Sequence, residues 1–399
     1  MHDSFQDSPA RRSPRTVCSV AGVGRAGLLL VIFSSLTRLP AAEDISSPMS
    51  MEASAELATE TKPLAVKAKT EDGNEWVVAP IPTLNPSQGF GLQVIGQYVF
   101  KDAKQSADTP ASIVAVGGFY TEEKSWGTFG GYLGHWQDDK WRPMAGGGYA
   151  QVNYDFYGVG NIQAEHDLSA RIDQKMTFGL AQMMRRIVPG VYAGLRLAAS
   201  QTEVASGGID SPPVVIPPLS VDISGYSVGF VAQWDTRDNQ FYPKHGQYAN
   251  LSATYHDGDY TYQTYVFSWN GYYSLGDKTV IAARGYLRDV GGDAPFYALS
   301  QFGMHNDLRG YKSGKYRDNA MFATQVELRR QLSSRWGFVI FAGVGEVVPG
   351  FDELNADDLL SSAGAGLRFR VAKSHPINLR FDWAYGDESA YYLGVNEAF

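Results

Sequence analysis

The sequence predicts an all-β protein whose strands close into a transmembrane antiparallel β-barrel of 16 strands. Three observations predict it. From about Trp76 onward, apolar and polar residues alternate with a period of two. The composition is rich in aromatic residues (13%) and Gly (43), but only 19% of residues are charged, against a usual share of about a quarter. The N-terminus reads as an export signal. A helical membrane protein needs apolar runs of about 18 residues or more, and the longest nearly apolar run here is the short stretch Ala26–Phe33. The chain is also too apolar for a highly charged disordered protein.

Residues 1–42 carry the signal. Arg11, Arg12, Arg15 and Arg25 make a basic region, Ala26–Phe33 the apolar stretch, and Pro40-Ala41-Ala42 the small residues before Glu43. Cys18 is the only cysteine and leaves with the signal, so the exported chain has no disulfide and no thiolate metal site. Gly22-Val23-Gly24-Arg25-Ala26-Gly27 matches G-x-G-x-x-G, but a dinucleotide site needs that motif between a strand and a helix. Residues 43–74 are acidic, rich in Ala, Ser and Thr, and aperiodic, which predicts a disordered lead-in. Residues 75–399 are the expected barrel. The net charge of −8 without a basic cluster argues against a nucleic-acid partner.

Within the barrel region the alternation is clearest toward the end. Ile377, Leu379, Phe381, Trp383 and Tyr385 alternate with Asn378, Arg380, Asp382 and Ala384. In Met321–Leu332, Phe322, Thr324, Val326 and Leu328 face one way, and Gln325, Glu327, Arg329 and Gln331 the other. A soluble sandwich alternates too. The barrel is favoured by strand length, by aromatic residues clustered at strand ends (Tyr98/Phe100, Tyr272/Tyr273, Trp383/Tyr385), and by Gly recurring on one face. Fifteen strands are readable: 89–100, 111–120, 125–137, 141–155, 173–186, 190–203, 222–236, 246–256, 260–275, 278–290, 320–332, 336–347, 362–372, 376–386 and 390–399. A barrel with both ends on one side needs an even number, with short turns on that side and long loops on the other. The long segments 157–172, 204–221 and 291–319 break this parity near the front, so one strand is missing from the count. Candidates are Glu75–Leu84, edge-like because of Pro80 and Pro82, or part of 160–172.

Four segments, in this order, resemble the barrel of the BamA/TamA outer-membrane assembly superfamily, also called the bacterial surface antigen family. Asp235-Thr236-Arg237-Asp238-Asn239, followed by Pro243 and Gly246, looks like that family's strand turn. Arg309-Gly310-Tyr311 looks like the tip of the loop that folds into its lumen. Glu327, and then Phe341-Ala342-Gly343, resemble the two strands that receive the Arg, with Gly343 standing where the family has an acid. The segment Tyr391–Phe399, with Tyr391, Leu393 and Val395 on its lipid face, is similar to the final strand read by outer-membrane assembly machinery. Glu397 interrupts that apolar face. The short span between signal and barrel leaves no room for the family's periplasmic POTRA modules, so the resemblance is to members lacking them.

The resemblance implies a non-enzymatic outer-membrane barrel acting in membrane-protein assembly or in protein or lipid translocation. Its partners would be outer-membrane lipid and the assembly machinery; a homodimer is left open. Independently of any family, an Arg carried into a narrow lumen needs a carboxylate to offset its lost hydration, so Arg309 is expected to pair with Glu327. The alternatives are a passive porin-like channel and an outer-membrane lipid hydrolase. Gly225-Tyr226-Ser227-Val228-Gly229 matches G-x-S-x-G, but the alternation runs straight through it, whereas a nucleophile elbow needs a sharp strand-to-helix turn. His135, His166, His245, His256, His305 and His375 show no metal-ligand spacing. His256-Asp257-Gly258-Asp259 reads as a polar turn. No catalytic residue, cofactor or metal is expected.

Overall fold

Along Tyr262–Ser274, Thr264, Val266, Ser268 and Asn270 are buried, while Phe267 and Trp269 share the opposite face with exposed Tyr273. Alternation of this kind decides the fold: one face of every strand must meet lipid, and the polar face must then point inward. The computed structural model describes residues 66–69, 75–101, 105–106, 109–160, 169–206, 209–211, 214–216, 219–239, 242–303, 307–370 and 378–399. The expected signal, and all of the expected lead-in except 66–69, lie outside the described residues.

In chain order the strands are β1 (Val66–Lys69), β2 (Glu75–Asn85), β3 (Gly89–Phe100), β4 (Ser112–Thr121), β5 (Trp126–Leu133), β6 (Trp141–Phe156), β7 (Ala170–Val188), β8 (Val191–Ser206), β9 (Ile209–Ser211), β10 (Val214–Ile216), β11 (Leu219–Asp235), β12 (Gly246–Gly258), β13 (Tyr262–Ser274), β14 (Thr279–Gly292), β15 (Ser300–Gln301), β16 (Arg317–Asp318), β17 (Ala320–Gln331), β18 (Trp336–Val348), β19 (Leu360–Arg370), β20 (Asn378–Tyr385) and β21 (Ser389–Val395). Setting aside β1 and the two small pairs β9–β10 and β15–β16, sixteen strands form the wall. Each is antiparallel to its neighbours, and β2 meets β21 to close the ring.

The strand missing from the fifteen is β2. It holds an unbroken register with β3 from Glu75↔Val99 to Asn85↔Gly89 despite Pro80 and Pro82. Proline is tolerated at an edge where its missing N–H faces away from the ladder, and β2 has only one full-length partner. Val66–Lys69, expected to be disordered, instead pairs with Glu75–Val78 as β1. Its four residues give no window long enough for a period to show.

Outward positions carry the apolar surface, among them Leu195, Leu197, Phe230, Ile340 and Phe381, each exposed. Inward positions carry Gln325, Glu327, Arg329, Arg368 and Asp382, all buried. Strand length is uneven around the ring: β7 has 19 residues and β8 has 16, whereas β20 has 8 and β21 has 7. A tilted membrane strand needs about 9–11 residues, so the wall is low at β21 on one side of the closure, and again at β5, which has 8.

The connections alternate between two ends. The end where β2 begins and β21 stops carries turns such as 189–190 and 275–278; the opposite end carries 157–169, 207–218 and 293–319. One lower turn is held by charge. Gln137, Asp138 and Asp139 all have positive φ, at 53°, 56° and 62°. Arg142 grips Asp139 with two hydrogen bonds of 2.9 and 2.8 Å, His135 Nδ1 lies 2.7 Å away, and the Tyr192 hydroxyl donates to the same carboxylate. Burial alone would raise the pKa of Asp139; these bonds outweigh it and hold the carboxyl well below the usual carboxylate range.

Candidate functional site: the lumen loop and the seam

The loop 293–319 enters the barrel because its apolar residues find a core there. Phe302, Leu308, Tyr311 and Tyr316 pack with Met321, Ala323 and Val347 of the wall, all nearly or fully buried. The rings of Tyr311 and Tyr316 meet edge to face at 5.4 Å. Arg309 is thereby carried into the lumen with a side chain that is 0% exposed.

Arg309 is compensated on three sides. Nη2 donates to Glu327 Oε1, Nη1 donates to Asp382 Oδ2 at 2.8 Å, and the guanidinium lies 3.4 Å from the centre of the Phe341 ring. Further arginines complete the network. Arg329 Nε donates to Glu327 Oε2 at 2.7 Å, and Arg368 Nη1 donates to Asp382 Oδ1. Each acid is thus shared by two guanidiniums, a geometry in which a buried ion pair can offset its desolvation.

The second acid, Asp382, is the residue the sequence reading missed. It stands on β20, while position 343 on β18 has glycine. A Cβ at Gly343 would lie 2.6 Å from Gln325 Cγ and 3.0 Å from Leu308 Cδ1, so Gln325 and the loop itself occupy the space where an acid would stand. Asp382 was readable as an inward residue from its alternation; its pairing with Arg309 requires the closed ring.

The loop tip is pinned to the strands nearest the closure. Gly310 N donates to the Tyr392 hydroxyl at 2.9 Å, the Tyr311 hydroxyl donates to Ser361 O at 2.7 Å, and the Ser362 hydroxyl donates to Arg309 O. Gly310 has φ +101°, and a Cβ there would stand 2.6 Å from Gly386 N. Gly310→Ala is therefore expected to destabilise the barrel by roughly 2 kcal/mol or more, from the left-handed backbone and overpacking together. An unchanged urea midpoint would contradict so close an approach.

The turn after β11 is a self-contained clasp. Asp235 chelates Arg237 Nε and Nη2 at 3.0 and 2.7 Å, and the guanidinium stacks 4.5 Å over Tyr248. Asp238 Oδ1 accepts from the backbone N–H groups of Lys244 and His245 at 2.9 and 3.1 Å. These contacts shape a turn at the lower end, far along the chain from the loop tip.

The seam between β2 and β21 is unlike every other junction in the wall. Its register is the single pair Leu84↔Leu393. The other junctions hold from seven pairs, between β20 and β21, to sixteen, between β6 and β7. The expected strand 390–399 ends at Val395. Tyr391, Leu393 and Val395 share the outward face, with Tyr391 half exposed, but Asn396 has φ 65° and residues 396–399 turn into the lumen. The reason is charge. Glu397 accepts from Arg368 Nε and Asn378 Nδ2, both at 2.7 Å, and Phe399 O accepts from Arg329 Nη2 at 2.7 Å. A carboxylate in lipid would be costly; inside, it joins the arginine network.

Ser227 of the G-x-S-x-G match is a buried inward residue of β11, paired with His256 of β12 in unbroken register and with no turn around it. Among the described residues, no group of three His, Cys, Asp or Glu could hold a metal ion.

With this geometry in hand, residues 131–393 match the model of the Omp85 superfamily domain. Among solved structures, the chain resembles BamA from Haemophilus ducreyi lacking POTRA domains 1–3 (TM-score 0.58, 14% identity, 88% of this chain and 78% of that one). It also resembles CdiB from Acinetobacter baumannii (0.51, 13%, 81% and 59%) and CdiB from Escherichia coli (0.52, 11%, 88% and 70%). At these identities the structural likeness speaks to fold alone. No curated protein matches the sequence.

Proposed function

The chain belongs to the Omp85 superfamily, and from that premise we propose that it is an exported, non-catalytic outer-membrane barrel that inserts or passes polypeptide through the seam between β2 and β21. The observation that carries this reading is the one-pair register of the seam. Each net backbone hydrogen bond is worth about 0.5–1.5 kcal/mol, so parting this junction costs a small fraction of parting any other. An open strand edge is a template for an extended segment of another chain.

Two features support the same place of action. The shortest strand of the wall, β21, with seven residues, forms one side of the seam, so the bilayer must thin beside it to match. The β2 edge is also divided: Glu75–Val78 is covered by β1, Pro80 and Pro82 supply no donors, and only Leu84 reaches β21. The Arg309 network closes the lumen from within, which argues against a passive pore. The buried, strand-bound Ser227 argues against a hydrolase.

The test is reconstitution of the barrel in liposomes with an urea-unfolded outer-membrane barrel as client. Faster formation of heat-modifiable, protease-protected client, with no steady conductance in planar bilayers, is the expected result. A stable open pore that Arg309→Ala leaves unchanged, with no effect on client folding, would replace this reading with a porin.

A further inference from the structure

A cavity opens at the lower mouth of the lumen, beneath the β17–β18 turn, and its lining is unusual for a chain of net charge −8. Among the described residues, five arginines, Arg329, Arg330, Arg335, Arg368 and Arg370, border it, with Glu397 as the one acid. Glu397 is already taken by Arg368 and Asn378, and Arg329 by Glu327 and Phe399. Three guanidiniums remain without a carboxylate among the described residues. Arg330 donates to the Thr279 hydroxyl, Arg335 lies over the Phe369 ring, and Arg370 lies over the Tyr242 ring with its Nε unpartnered. A backbone hydrogen bond of 2.7 Å from Arg370 N to Arg335 O fixes two of them side by side. Deeper in the same cavity, Arg368 Nη2 and Arg329 Nη1 also lack hydrogen-bond partners, on residues only 3% and 1% exposed.

Like charges gathered this closely repel, and leaving buried donors unmet is costly. An oxyanion would relieve both, and the forked guanidinium suits phosphate. The level of the site in the membrane selects the source. Trp336 lines the cavity and is half exposed, Leu332 beside it is 58% exposed, and Ile340 is exposed two repeats of the pleat further in. A tryptophan between an apolar band and a polar turn marks the membrane–water interface. The longest connections, 157–169, 207–218 and 293–319, all lie at the other end, which makes this the periplasmic side. Arg330 stands on the outward parity of β17, with Val326 and Leu328, whereas Arg368 and Arg370 stand on the inward parity of β19. The cluster therefore straddles the rim between lipid and lumen.

We propose that this rim is a binding site for the phosphate headgroup of an anionic glycerophospholipid of the periplasmic leaflet, held by Arg335 and Arg370 with Arg330 alongside. The site is independent of any traffic through the seam.

The test uses the full barrel in neutral detergent, titrated with short-chain phosphatidylglycerol and read by native mass spectrometry. The wild type is compared with the double variant Arg335→Gln/Arg370→Gln. The variant is expected to bind phosphatidylglycerol about tenfold more weakly, for the loss of two solvent-accessible guanidinium contacts together, with an unchanged melting temperature in phosphatidylcholine. Arg335→Lys/Arg370→Lys, which keeps charge but loses the fork, is expected to fall between the two. Equal binding by wild type and the glutamine variant overturns the proposal. So does inorganic phosphate binding as tightly as the lipid, since the site would then read a free oxyanion.

Discussion

Arg309→Ala is expected to cost about 3 kcal/mol of stability, at the lower edge of the range for removing one partner of a buried ion pair. The lower edge applies because neither acid is left alone. Glu327 keeps Arg329, and Asp382 keeps Arg368, with Arg380 Nη1 at 3.9 Å. The loss should be visible as a lower urea midpoint for the heat-modifiable form. It should also free the loop: Lys312 and Lys315, which the folded loop ties to Glu388 and Asp387 at 3.2 and 2.6 Å, become sites of tryptic cleavage. Arg309→Lys should not restore the wild type, because a compact ammonium lacks the planar fork that reaches Glu327 and Asp382 from separate nitrogens while lying flat on Phe341. A double-mutant cycle with Glu327→Ala should show a coupling of roughly 1 kcal/mol or more. Additive effects would mean that the pair is a bystander and the loop is held by its apolar core alone.

The parts of this site legible in the sequence were those carried by local pattern. Period-two alternation placed Glu327, Arg329 and Asp382 on one face of their strands, because a strand gives each residue its face regardless of partners. Counting ends predicted one more strand, with Glu75–Leu84 or part of 160–172 as candidates, the first edge-like at best because of Pro80 and Pro82. What depended on ring closure was not legible. Asp382 meets Arg309 across 73 positions in sequence, and no local spacing encodes that meeting. The glycine at 343 looked like a lost acid until Leu308 and Gln325 were seen to fill its place. Glu397 looked like a flaw in an apolar strand. Its carboxylate accepts from Arg368 and Asn378 inside the lumen, where positions 396–399 lie off the wall.

Locking the seam should abolish function. Leu84 and Leu393 are Cα partners in an antiparallel pair, a placement with Cα atoms about 4.5–5.5 Å apart, inside the window of about 4.4–6.8 Å that a disulfide requires. The chain has one cysteine, Cys18, so Leu84→Cys/Leu393→Cys in a Cys18→Ser background gives a single defined crosslink. Oxidised, it fixes β2 against β21 and constrains some three hundred residues of unfolded chain, worth up to about 5 kcal/mol in the chain-entropy view. The protein should therefore become more stable while its acceleration of client folding falls at least about tenfold, the mark of a step that must overcome that added stability. Reductant should reverse both. The matched control is Val326→Cys/Ala342→Cys, partners across β17 and β18, which stiffens a junction already held by twelve pairs and should leave client folding untouched. Loss of activity in both crosslinked forms would mean that general rigidity is the cause. Loss in the seam variant alone would mean that the wall must part at the one place where a single residue pair holds it. Full activity in the oxidised seam variant would move the path of the client away from the seam and into the lumen, where Arg309 and its two acids would then have to open.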